Sequence, residues 1–179
     1  MVKRKKLFDF GMRSINQHYT DFKFDFVRYI KSITTYKKLI DVYYFIAPLK
    51  QNLNKEIYRL QQILLTRMRK AGFRIILCKR KKRDNEEGKI IHEIKEDDIR
   101  LALQMQKDAY NNKYDVAILF SGDGDFAPLS EYLKEKGKKM EVIYFENTIS
   151  ISLLRACDFK GSKIDKKVLN RFFLRDVKK

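Results

Sequence analysis

The sequence is poor in the residues that cross-link and punctuate chains. Its 179 residues include two cysteines, two histidines, two prolines, seven glycines and no tryptophan. Cys78 and Cys157 sit in apolar settings and share no metal-type spacing. Reduced, buried thiols are therefore expected rather than a disulfide framework. The seven glycines form neither GxGxxG nor GxxxxGK[ST], which argues against a dinucleotide or P-loop enzyme. No spacing suggests a Ser-His-acid or Cys-His arrangement, and His92, with no His or Cys beside it, reads as a packing or surface residue. No apolar run approaches the roughly 20 residues of a membrane span. The opening MVKRKKLFDF is basic but has no apolar stretch behind it, so it makes a poor signal peptide. These absences point to a cytoplasmic protein.

Positive charge is plentiful. There are 40 Lys plus Arg against 23 Asp plus Glu, a formal charge of +17. Such an excess favours a polyanionic partner, RNA or another nucleic acid first, with a generally basic solvated surface as the plain alternative. Acidic residues gather at 93–98 and at Asp123/Asp125 within an otherwise basic chain. A basic surface around a small acidic pocket suits an enzyme that attracts phosphates and holds a metal. The 44% hydrophobic and 13% aromatic content is that of a globular chain, and the length fits one domain.

The most informative stretch is VAILFSGDGDFAPL, Val116 to Leu129. Five apolar residues in a row predict a strand buried on both faces, as in a parallel sheet. SGDGD ends it in a tight turn that its glycines permit. Asp125 stands where a helix cap is expected, and Pro128 is tolerable in a first helical turn. Ligands of open parallel sheets bind at the carboxyl ends of strands. Two carboxylates one residue apart at such an end suit a hard cation. A purely structural turn with a capping Asp is the bland alternative.

Tyr114 to Phe159 resembles the C-terminal half of an NYN domain of the LabA-like group, within the PIN-like nucleases. The resemblance rests on a hydrophobic strand, SGDGDF, the Pro two residues on, a helix ending in Gly-Lys, a further strand, and Ser-x-x-Leu-x-x-x-Ala/Cys-Asp. It implies an α/β, three-layer PIN-like fold with a mostly parallel sheet. It also implies a Mg²⁺- or Mn²⁺-binding acidic site at the strand ends and hydrolysis of RNA phosphodiesters. Members of the group often carry Lys-x-x-Asp before a helix, which Lys95 and Asp98 match, with a further Asp two turns on, where this chain has Gln104.

The opening departs from that family. Such domains begin with a buried strand ending in Asp-Gly-x-Asn. Matching LFDFGMRSINQHYTDFKFDF to the segment after that strand puts Lys3 and Lys6 at the Asp and Asn positions. VKRKK cannot run through the middle of a sheet with its ammonium groups unpaired. On this match the first strand is missing, by a late start or truncation, or the site is degenerate. The other match ends a stub of strand at Asp9, which then supplies the carboxylate.

The rest reads as alternating elements. Helices are expected over 7–20 and from Lys23, then a strand over Leu39–Ala47 closed by Pro48, a helix over 54–71 capped by Gly72, and a strand over Phe73–Cys78. Lys79, Arg80, Lys81, Lys82 and Arg83 open an exposed hairpin or flap, the best candidate for contacts to a phosphate backbone. Met140–Phe145 is expected to be the last sheet strand. Residues 1–6 read as a basic tail, 7–160 as the domain, and 161–179 as a basic tail or docking helix, which could instead pair with another subunit in a homodimer.

The residues support two readings. In the first, Asp98, Asp123 and Asp125 hold Mg²⁺ or Mn²⁺ in an endoribonuclease, with Ser121 and the 79–83 run on the substrate. In the second, a degenerate PIN-like domain binds nucleic acid or assembles without catalysis. The missing opening Asp and Gln104 favour the second.

Overall fold

The computed structural model describes residues 4–9, 24–34, 39–48, 55–84, 90–146 and 148–173. They form an α/β fold in three layers. Six strands, β1 (Lys5–Asp9), β2 (Leu39–Ile46), β3 (Arg74–Leu77), β6 (Val116–Phe120), β7 (Lys139–Phe145) and β8 (Phe159–Ile164), make one sheet in the order β3-β2-β1-β6-β7-β8. All five pairings are parallel. The chain runs outward from β1 to β3, then returns to the centre and runs outward from β6 to β8. Its switch point therefore lies between β1 and β6. A two-stranded antiparallel ribbon, β4 (Lys79–Asp84) with β5 (Ile90–Lys95), stands apart from this sheet.

The five residues of β6 are all buried because both faces of the sheet are covered. Side chains alternate across a strand, so neighbours enter different cores. Ile118 and Phe120 join Val42, Tyr44, Ile143 and Phe145 beneath helices α1 (Phe26–Thr34) and α2 (Lys55–Lys70). Ala117 and Leu119 join Tyr43, Phe45, Met140 and Val142 beneath α3 (Asp97–Tyr110), α4 (Ala127–Glu135) and α5 (Ile151–Ala156). Gly72, at φ +86°, follows α2 in the left-handed conformation that suits glycine.

Three expectations need correction. The first strand is present. Residues Leu7 to Asp9, expected to open a helix, belong to β1, while 10–23 lie outside the described residues. The strand is the one of the other match, ending at Asp9, with Lys5 and Lys6 at its entry in register with Leu39 and Asp41 and only Leu7–Asp9 at the height at which β2 is buried.

β7 is not the last strand, because β8 pairs alongside it. FKGSKI is polar enough to hide its strand character, as suits an edge. The sheet thus continues across the boundary expected at 160. Beyond it, Asp165 caps α6 (Lys166–Arg171) by accepting the Val168 amide hydrogen at 2.9 Å. Phe172 is then buried against Tyr29, ring centroids 5.4 Å apart.

Candidate active site

Parallel strands point their carboxyl ends to one edge, and the acidic turn lies there. Asp9 ends β1 and is in register with Phe120, which ends β6, and with Tyr44 of β2. Ser121, Gly122 and Asp123 follow Phe120 directly. Crevices at a switch point, outside the carboxyl ends, are where open α/β sheets bind ligands. The strand order and register place the end of β1, at Asp9, beside the start of the SGDGD turn.

The turn is internally braced. The Ser121 Oγ accepts the Asp123 amide hydrogen at 3.1 Å. The Asp123 Oδ1 accepts the Asp125 amide hydrogen at 3.0 Å, so Asp123, rather than Asp125, caps the 3₁₀ turn Gly124–Phe126 that leads into α4. Asp123 and Asp125 are exposed, whereas Ser121 is buried. Ser121 braces the turn from a buried position.

The loop after β7 closes against this turn. The Ser150 amide donates to the Gly122 carbonyl at 2.8 Å. A Cβ on Gly122 would overlap the Thr148 carbonyl oxygen, and one on Gly124 would lie 2.7 Å from the Ser150 Oγ and 2.9 Å from the Ser152 Oγ. Both glycines are therefore required for close approach. Ser150 is the serine of the Ser-x-x-Leu-x-x-x-Ala/Cys-Asp motif, but its seat on this turn, and those of Thr148 and Ser152, were missed in the sequence. The usable signal was the pair of glycines, which implied that something packs on the turn.

Asp98 lies in the first turn of α3, half-buried, with Asp97 buried beside it. Glu96, just before, adopts φ 76°, a left-handed conformation uncommon for a residue with a side chain. Lys79 and Arg100 hold it, at 3.3 and 3.1 Å. Despite the opposing effect of desolvation, hydrogen bonds from these cations keep the Glu96 carboxyl below its ordinary range. Lys79 thereby ties the ribbon to the start of α3. Arg80, Lys81, Lys82 and Arg83 continue along β4, opposite Ile94, Glu93, His92 and Ile91 of β5. The expected hairpin is present.

Gln104 lies further along α3 and donates to Asp108 Oδ1 at 3.1 Å. Asp108 is fully buried and also meets Lys113 at 3.4 Å. Asp158 accepts the Met140 amide hydrogen at 2.9 Å, a structural part. Cys78 and Cys157 are free, and burial pushes each thiol up to about 11. Among the described residues no three His, Cys, Asp or Glu side chains meet as a cation site, so Asp98 is not brought together with Asp123 and Asp125 as one such group. The donors at the edge are carboxylates and hydroxyls, a chemistry that fits a hard cation.

Comparison with known proteins agrees with this architecture. A protein of unknown function from Vibrio parahaemolyticus superposes with a TM-score of 0.67 at 20% identity, over 92% of this chain and 93% of that one. It shares the fold. No curated protein matches. Among the described residues no helix is long and apolar enough to cross a membrane. The family model for the NYN domain matches residues 9–164, beginning at the residue that ends β1 and finishing at the residue that ends β8. The chain belongs to the NYN domain family.

Proposed function

We propose that this NYN domain is a metal-dependent ribonuclease of the LabA-like group, acting on RNA in the cytoplasm. The observation that carries this reading is the register of Asp9 with Phe120 across the switch point. It sets the end of β1 level with the start of the turn that carries Asp123 and Asp125.

Asp9, Asp98, Asp123 and Asp125 are the residues that would hold Mg²⁺ or Mn²⁺. When bound there, such an ion polarises the scissile phosphate, activates a water and neutralises the leaving oxygen. The chain does the positioning. Ser121 and the 3₁₀ turn fix the backbone of Asp123 and Asp125. Phe126, buried, anchors the turn to the core. The basic residues of β4 hold the nucleic-acid backbone without reading its sequence.

The test is cleavage of a labelled single-stranded RNA with Mn²⁺, with D123N/D125N as control. Cleavage lost in the double variant supports the nuclease. RNA binding that is salt-sensitive, equal in both proteins and free of cleavage would instead establish a binding module. That second reading is favoured by Gln104, which stands at a position where the resemblance implies an acid and donates to Asp108.

A further inference from the structure

The SGDGD turn has a companion that carries hydroxyls. Ser150 occupies the N-cap of α5, where a serine ordinarily accepts a backbone amide hydrogen. It makes no such bond. Its Oγ lies instead 2.7 Å from the Ser152 Oγ, in an exposed pair. Both oxygens sit over Gly124, between the two acids of the turn, in space that a Cβ there would fill. The Ser150 amide bond to the Gly122 carbonyl fixes the loop in place without help from either hydroxyl.

Two hydroxyls carry two hydrogens, and the bond between them uses one. One hydrogen is left to donate outward. A neutral donor is useful at this position. A phosphodiester brought beside Asp123 and Asp125 is repelled by them, and a hydroxyl can bind its oxygens without competing with the carboxylates for a cation.

We propose that Ser150 and Ser152 form a phosphate-binding pair, donating to a non-bridging oxygen of the RNA phosphodiester seated beside Asp123 and Asp125. The inference rests on the nuclease reading and assigns it a substrate contact. The donor is the free hydroxyl hydrogen of the pair, not the amides of the six-residue α5. Gly124 is then glycine because the phosphate-binding pair must reach over the turn.

The experiment measures binding of a fluorescent single-stranded oligouridylate to the full chain by anisotropy, in Ca²⁺ and in EDTA. S150A/S152A, S150T/S152T and D123N/D125N are compared with wild type, and each is melted. S150A/S152A is expected to weaken the Ca²⁺-dependent binding about tenfold, the scale of one or two hydrogen bonds to a charged group. Its melting temperature should stay near that of wild type, and the threonine variant should bind as wild type does. Unchanged affinity in S150A/S152A, with D123N/D125N weakened, would overturn this inference alone. A loss of affinity accompanied by a matching loss of melting temperature would make the pair a structural clip and overturn it too. Wild type showing no Ca²⁺-dependent binding would overturn this inference and the nuclease reading together.

Discussion

Asp9 and Phe120 are partners across the two central strands, each the last residue of its own. That pairing sets the acid of β1 level with the start of the acidic turn. Substituting Asp9→Asn keeps size and removes charge. Mn²⁺-dependent cleavage should fall by at least about 100-fold, since even outer-shell partners of metal ligands cost 10–100-fold. Turnover measured beside D123N/D125N checks this. A D9N enzyme with wild-type turnover would remove Asp9 from the site.

The two turn glycines should respond differently from Gly72. Gly122→Ala drives a methyl into the backbone of Thr148, which cannot rotate away. The expected loss is about 1–3 kcal/mol, the usual cost of overpacking. Gly72→Ala meets nothing within 4 Å and pays only for its positive φ, about 1 kcal/mol. Urea unfolding of the two variants ranks them, and a milder Gly122→Ala would contradict the close approach.

The C-terminal aromatic should behave as core. Phe172 is buried and packs on Tyr29 and Phe24. Phe172→Ala is expected to cost about 3–5 kcal/mol by transfer and cavity terms. A value below about 1 kcal/mol in chemical denaturation would mean that the segment after β8 is not docked in solution, because surface substitutions fall in that range.

Acid should find one contact at the amino edge of the sheet. Arg4 donates to Asp115 through its side chain at 3.1 Å and its backbone amide at 2.7 Å. These bonds, the side-chain bond first, hold the Asp115 carboxyl below its ordinary value of 3.8. A lowered carboxylate contributes stability that is complete above that value and is lost as pH falls through the lower folded value. Arg4→Ala should therefore reduce stability at neutral pH and leave a shallower fall below about pH 4. Parallel denaturation curves from pH 7 to 3 test it, and identical acid slopes would discount the pair.

The ribbon should act through charge alone. Replacing Lys81, Lys82 and Arg83 with Ala should lower RNA affinity for all sequences alike. The slope of log K against log salt should shrink by about 0.7 for each phosphate of a single strand that is no longer neutralised. A salt slope equal to wild type would take the ribbon off the RNA path.

Much of the fold was legible because its signals are local. Val116–Phe120 reads as a doubly buried strand from five apolar residues, and the stripe of α2 reads from its spacing. KRKKRDNEEGK reads as a hairpin from charge and turn residues. SGDGDF already indicated an acidic turn at the carboxyl end of a buried strand. The strand Lys5–Asp9 is too short and too charged to carry a pattern, and it is a strand because β2 and β6 pair with it on both sides. FKGSKI likewise takes strand form from β7. The seating of Ser150 and Ser152 over Gly124 joins residues 26 and 28 positions apart, and no local propensity encodes it. The sequence by itself determined the elements, the acids and the charge. Tertiary structure decided which strand Asp9 ends and which hydroxyls face the turn, because parallel pairing and backbone approach are made between distant segments and are set only when both cores close.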